Sequence, residues 1–546
     1  MLARAPLDIA GSSQTELLSV VTADEPLGPS NADGLAEQPH ASGLLFERQN
    51  TIYSRLANRP GILIGRRGAG KTAFLNHLRH SSRQKYIIFI SAPDAFPEIL
   101  KSLREIFGEN PPFVEVVEKL WDVLIWSCIF GVILSKDTYA DARVRTIRDY
   151  ANRIGFAADS KLEEIVQKTI GFLLDRFRNT SEPIESKLHL HSALDFQHTS
   201  YTRAYETTRM ILNELRGDDK LSPVLVLMDT LEDYRLERGE AIHAVSGLTR
   251  YLGHQTSNKG YAEVRFCLPA ELYATFQEAS RNPMKDFSSQ TLLHWHAGDL
   301  LRIVAHRFFL YLQLHDRSRY HELSSRFDVD QREGAVALFE HILPHQIKNR
   351  SGSIEPTLAY ILRHTQLLPR HLVEMFNFIF RAAIEPENGH IGVIQAEDVV
   401  RGVQSCEERI CVGVAHAYRH LYPRLAEICK VAIPELPRRF TDGDLHTVFN
   451  RNVGQVKKRA AMQGDDFDMD YRSFKAMLVE VGAIGKQIDE TEMYYEAEFE
   501  YNVPSSLVIA SDDKLCLHPL FSGVYPKASL NGHRSKPVYP YRSDPR

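Results

Sequence analysis

Short, wholly apolar runs alternate with stretches of helical periodicity through the first half of the chain. Gly61-Ile62-Leu63-Ile64-Gly65 and Tyr86-Ile87-Ile88-Phe89-Ile90 are strand-length runs with no polar face, which predicts strands buried on both sides. Phe74, Leu75 and Leu78 recur between them at helical spacing, so the segment reads as one βαβ unit and predicts a parallel sheet. Val224 to Met228 and Val264 to Leu268 repeat the strand pattern. Between about residues 97 and 216, Phe113, Val116, Val117, Leu120, Leu124 and Ile125 follow helical spacing, which predicts a helical insertion in the sheet domain.

Beyond about Thr291 the period stays helical almost to residue 430, with Leu300, Leu301, Ile303, Val304, Phe308 and Leu312 on one face and Leu372, Val373, Phe376 and Ile379 on another. Near Phe440 the pattern shortens. Asp442 to Asn450 and Tyr471 to Val481 predict short helices, and Tyr495 to Tyr501 and Leu507 to His518 are β-like, the latter carrying an Asp512-Asp513 turn. Helices followed by a hairpin predict a winged helix. The expected organisation is an α/β core over 45–290, a helical lid over 291–430 and a winged-helix-like domain over 431–525. Residues 1–44 lack sustained periodicity and are expected as a disordered arm, and 526–546, Pro-rich and basic, as a flexible tail.

Composition removes several classes. The 546 residues carry a formal charge of -5, so the chain as a whole is no polycation made to coat nucleic acid. The six cysteines are scattered with no CxxC pair, against a disulfide scaffold and in favour of a reducing compartment. No apolar run approaches the roughly 20 residues of a membrane span, and the N-terminus has no signal-peptide pattern. A cytoplasmic protein with no membrane partner is expected.

The informative chemistry sits directly after the first apolar run. Gly65-Arg66-Arg67-Gly68-Ala69-Gly70-Lys71-Thr72 satisfies G-x-x-x-x-G-K-[ST] between a strand and a helix. Glycines let backbone N–H groups close around phosphate oxygens, and the helix that follows points its positive end at them. In this pattern Lys71 reaches the β- and γ-phosphates and the Thr72 hydroxyl holds Mg²⁺. Asp229, at the end of the Val224–Met228 run, fits the acidic second half of such a site, a Mg²⁺ partner usually acting through water. ATP and Mg²⁺ are therefore the expected ligands. Hydrolysis needs a further group to orient water, and Glu232 is the candidate, with Asp233 beside it.

Four segments together resemble the AAA+/STAND class of P-loop ATPases, in particular its bacterial branch similar to origin-recognition and initiator ATPases. They are the glycine-rich loop, Met228-Asp229-Thr230-Leu231-Glu232-Asp233-Tyr234, Phe266-Cys267-Leu268-Pro269, and Thr365-Gln366-Leu367-Leu368-Pro369-Arg370. The resemblance implies a sensor role for Arg370, which in that class reaches the γ-phosphate from the lid. It also implies an ATP-driven switch in a bacterial multi-component system, such as anti-phage defence, acting by oligomerisation or on a partner effector. Thr230 stands where many members carry glutamate, so a scaffold with little turnover stays open beside an ATPase. Arg281, Arg302 and Arg307 lie where a finger reaching into a neighbouring subunit would be sought.

Weaker features leave alternatives. His189, His191 and His198, or His294 and His296, lack the cysteine or carboxylate spacing of a zinc site and read as solvated or hydrogen-bonded. The helix Tyr471 to Glu480 has only two cations and Tyr495 to Glu500 is acidic, while Arg451, Lys457, Lys458 and Arg459 gather ahead of it. Protein contact and duplex binding both remain readings of the winged helix, the second implying an initiator or loader.

Overall fold

The computed structural model describes residues 12–31, 35, 38–45, 61–90, 99–101, 105, 114–136, 141–179, 199–216, 222–229, 239–255, 261–279, 284, 290–385, 390–419, 421–501, 507–526 and 536–540. They form two compact units. A helical unit holds the described residues of Met1–Asn50, Arg67–Gly70 and His294–Arg546, and a sheet unit those of Thr51–Arg66 and Lys71–Leu293.

The helical unit opens with α1 (Ser12–Val20) and α2 (Pro39–Leu45). The expectation of a disordered arm over 1–44 is therefore corrected for its described residues: Leu17, Val21 and Leu27 are fully buried. The order comes from polar anchoring that no periodicity announces. Arg307 donates to the carbonyls of Leu27 at 3.1 Å and Pro29 at 2.9 Å. The Asn377 amide accepts from Leu27 N at 2.7 Å and donates to Gly28 O at 2.9 Å. Gly28 makes the bend at φ +71°, a left-handed conformation that a side chain would strain.

In the sheet unit the order along the chain is β1 (Gly61–Gly65), α3 (Lys71–Ser81), β2 (Tyr86–Ile90), α4 (Val114–Ser135), α5 (Asp141–Ile154), α6 (Leu162–Asn179), α7 (Thr199–Arg216), β3 (Val224–Met228), α8 (Gly239–Gln255), β4 (Ala262–Pro269), α9 (Tyr273–Ala279) and β5 (Gln290–Leu292). The strands pair in parallel in the order β2-β3-β4-β1-β5. This is the expected α/β fold with its helical insertion, α4 to α7. All five residues of β3 are buried, which is why its sequence is uninterrupted apolar. Helix α4 is apolar nearly all round because it is buried against α8 as well as the sheet. Trp121 Nε1 donates to Ala244 O at 2.8 Å, and a Cβ on Gly247 would stand 2.5 Å from Val117, so glycine sets the helix separation. Strand β5 is a correction: Thr291, read as the lid's start, pairs with Leu63 of β1. Three residues with a polar one at each of the first two positions carry no strand signal of their own.

The rest of the helical unit comprises α10 (Ala297–His315), α11 (Arg317–Arg326), α12 (Arg332–Ile342), β6 (Gln346–Lys348), β7 (Ile354–Pro356), α13 (Thr357–Arg363), α14 (Pro369–Ala382), α15 (Ala396–Ala417), α16 (Leu425–Ala432), β8 (Arg439–Phe440), α17 (Asp442–Val448), α18 (Gly454–Met462), α19 (Tyr471–Glu480), β9 (Ile484–Glu490), β10 (Tyr495–Glu498), β11 (Leu515–Leu517), α20 (Pro519–Val524) and β12 (Val538–Tyr539). The lid is not all-helical, since β6 and β7 form an antiparallel hairpin. The Asn349 side chain builds its turn by accepting from the N–H groups of Ser351 and Ser353, both at 3.0 Å.

Helices α17 to α19 followed by β9 and β10 give the winged-helix arrangement, with the sheet order β12-β10-β9-β11-β8. The hairpin differs from the expected one. β10 pairs with β9, while β11 lies on the other side of β9. Ile484–Glu490 escaped notice because its second half is polar and exposed. The flexible-tail expectation is corrected at 536–540: β12 pairs in parallel with β10, and Lys536 Nζ bonds Glu490 Oε1 at 2.9 Å and Thr491 O at 2.7 Å. Tyr539 reaches deeper. Its hydroxyl donates at 3.1 Å to Glu355, which is 2% exposed and also receives two 2.8 Å bonds from Arg363 and one of 2.7 Å from Asn349. Among the described residues no helix is long and apolar enough to cross a membrane.

Candidate phosphate-binding site

The sheet unit supplies one half of the motif. β1 ends at Gly65, and α3 begins at Lys71, so the loop lies between a buried strand and a helix N-terminus whose free N–H groups favour an anion. Lys71 is 3% exposed, and its ammonium donates to the carbonyls of Gly65 at 2.8 Å and Arg66 at 3.0 Å. Those two bonds hold the cation at the end of β1. Thr72 Oγ1 donates to Asp229 Oδ1 at 3.3 Å. Asp229 follows β3, and its N–H is fixed by Ile90 O at 3.2 Å. β4 separates β1 from β3, yet the sheet's twist and the helix after the loop bring hydroxyl and carboxylate together. One hydroxyl and one carboxylate oxygen, both hard donors, suit Mg²⁺ with water or phosphate completing its shell.

The helical unit holds the arch of the loop, Arg67–Gly70. Gly68 at φ +86° and Gly70 at φ +93° occupy the left-handed region, which places successive N–H groups on one side of the arch. Three partners fix it. Arg370 N donates to Gly68 O at 3.3 Å, Trp295 Nε1 donates to Ala69 O at 2.9 Å, and the Arg67 guanidinium donates to His416 Nδ1 at 2.7 Å. Ala69 is fully buried. A Cβ on Gly68 would stand 3.1 Å from that of Arg370, so the α14 N-terminus sits as close as a glycine allows.

The residues expected from the sequence are thus placed as follows. Gly65, Arg66, Lys71, Thr72 and Asp229 meet in the sheet unit, and Arg67, Gly68, Ala69, Gly70 and Arg370 meet in the helical unit. Glu232, with Thr230 and Asp233, lies outside the described residues, as do Arg281, His189, His191 and His198. Arg302 and Arg307 both have partners within the helical unit. Arg302 is 7% exposed and faces Asp299 at 3.7 Å, and Arg307 is spent on the carbonyls of Leu27 and Pro29, where burial pulls its pKa down to about 10. Sequence reasoning missed Trp295 and His416. A tryptophan between two histidines directly ahead of a helix was a signal for the first, while nothing local marks His416.

No protein-family model matches the chain, and no curated protein matches it. Among solved structures it is similar to the Aeropyrum pernix ORC2 protein in its ADPNP–ADP complexes, at 11% identity and a TM-score of 0.32 over 90% of this chain and 92% of that one.

Proposed function

We propose that the protein is an ATP-binding, Mg²⁺-dependent switch ATPase of the additional-strand P-loop type. The observation that carries this is the Lys71–Thr72–Asp229 geometry, with β4 standing between the loop strand and the Asp229 strand as the additional strand of that class. In this reading Lys71 offsets β/γ-phosphate charge, Thr72 and Asp229 hold Mg²⁺, the Gly65–Gly70 backbone surrounds the phosphates, Glu232 orients water, and Arg370 senses the terminal phosphate. Its setting as the ATPase of a bacterial multi-component defence system is supported by the resemblance of the motifs and is tested by purifying the tagged chain with whatever partner it retains.

The carboxylate is the informative position for chemistry. Asp229→Asn keeps the shape and a hydrogen-bonding oxygen but gives a hard cation a neutral amide. Steady-state phosphate release should fall by about 100-fold at limiting Mg²⁺, a loss comparable to removing one transition-state electrostatic group. ATP affinity measured without Mg²⁺ should hardly move. Equal turnover in the variant at every Mg²⁺ concentration would refute the assignment.

The duplex-binding alternative finds less support in the winged-helix residues. Lys457 pairs with Asp468, Arg459 with Glu427, Lys475 with Asp442 and Lys486 with Asp513. Cations already matched by carboxylates release few counterions on meeting phosphate. DNA binding, if measured, should therefore be weak and show a shallow salt dependence.

A further inference from the structure

We propose that Asn31 is a positioning residue for nucleotide sensing, holding the Arg370 guanidinium against the arch of the phosphate loop; the proposal rests on the reading of Arg370 as the sensor of the terminal phosphate. Arg370 sits in the first turn of α14, and its side chain runs along Gly68. Its Cδ and Nε lie 3.4 and 3.7 Å from where a Gly68 Cβ would stand. Its Nε is buried without a hydrogen-bond partner. A buried guanidinium donor without a partner carries a desolvation cost, and one beside a phosphate loop is placed to meet an anionic oxygen when nucleotide is bound. The NH2 group is already taken, donating to Asn31 Oδ1 at 3.3 Å.

Asn31 is suited to this because the segment before it is fixed. Leu27 is fully buried, Arg307 and Asn377 between them bond both peptide groups around Gly28, and Pro29 is held by Arg307. Asn31 follows this held segment two residues on. A long, flexible arginine loses rotamer freedom on meeting phosphate, and a partner that fixes it beforehand removes part of that loss from the binding step. An amide also does this without charge. Aspartate at the same place would neutralise the cation that has to meet the γ-phosphate.

The test measures equilibrium binding of ADP and of a non-hydrolysable ATP analogue to the full chain, wild type, Asn31→Ala, Arg370→Ala and the double variant, with melting temperatures alongside. Asn31→Ala should weaken the analogue by about three- to tenfold, the net value of one ordinary hydrogen bond, and leave ADP within about twofold. Arg370→Ala should weaken the analogue at least as much, and adding Asn31→Ala to it should change nothing further, because the residue to be positioned is gone. A merely structural strap would instead lower the melting temperature and weaken both nucleotides alike, which overturns the proposal. So does an Arg370→Ala effect with Asn31→Ala behaving as wild type. If Arg370→Ala itself leaves the analogue-to-ADP ratio unchanged, the sensor reading falls and the role of Asn31 with it.

Discussion

Replacing Lys71 by alanine is expected to weaken ATP·Mg²⁺ binding by about 100-fold or more, the largest functional loss from a single side chain in this protein. The ammonium is buried and already directed into the loop by Gly65 O and Arg66 O. Removing it takes away the positive charge next to the phosphates and leaves two carbonyl oxygens facing the place where anionic oxygens would lie. Both changes act in the same direction, in a setting where solvent screens poorly. Calorimetric titration with ATP and Mg²⁺ measures the effect, and the melting temperature of the variant separates lost binding from lost folding. Binding as tight as wild type would mean that the loop is a structural turn.

The largest loss of stability is expected for Glu355→Ala, about 3–5 kcal/mol, the range for breaking a buried ion pair by deleting one partner. The Glu355 carboxylate accepts from Arg363, Asn349 and Tyr539, and its removal leaves the Arg363 guanidinium buried and takes an acceptor from Asn349 and Tyr539. The effect also has a pH signature. Burial pushes the Glu355 carboxyl up, but the Arg363 charge and the hydrogen bonds outweigh it and hold the group below its ordinary 4.5. A carboxyl with its folded pKa lowered contributes stability in full above that ordinary value and loses it as the pH falls through the folded one. The gap in unfolding free energy between wild type and variant should therefore be widest near neutrality and narrow below about pH 4.5. A gap independent of pH would assign the loss to packing alone.

Which parts of the fold the sequence announces follows from how each is stabilised. β1 and β3 are buried on both faces, so their residues had to be apolar and the runs stand out, and β4 does so over Phe266–Leu268 despite the buried Arg265 before them. The glycine-rich loop is equally plain, because left-handed backbone at Gly68 and Gly70 favours glycine at fixed spacing. The segment Thr365–Arg370 reads as a helix start from its motif, and α14 does begin at Pro369. What stayed hidden is held by partners distant along the chain. The Leu27–Pro29 segment has no periodicity of its own and is held by Arg307 and Asn377, some 280 and 350 residues away. β12 is two residues long and identified by the Tyr539 hydroxyl meeting Glu355, a contact no local pattern encodes. β5 and β9 failed for the opposite reason, since polar residues on exposed strands resemble loops.

That distant anchoring of Leu27–Asn31 has a kinetic side. The sheet unit lies within the chain path of the helical unit, so Leu27 to Pro29 are synthesised before it and their partners Arg307 on α10 and Asn377 on α14 after it. That segment must wait, without those partners, while the whole sheet unit is synthesised. Closing so long a loop costs only slightly more entropy than closing one half its length, so the final stability hardly suffers. The rate does suffer, because contacts of high sequence separation form late. The sheet unit, whose strands find neighbours nearer in sequence, should be folded while the helical unit is still open at its N-terminal seam, and an unfolded chain returned to native conditions should show those two phases in that order.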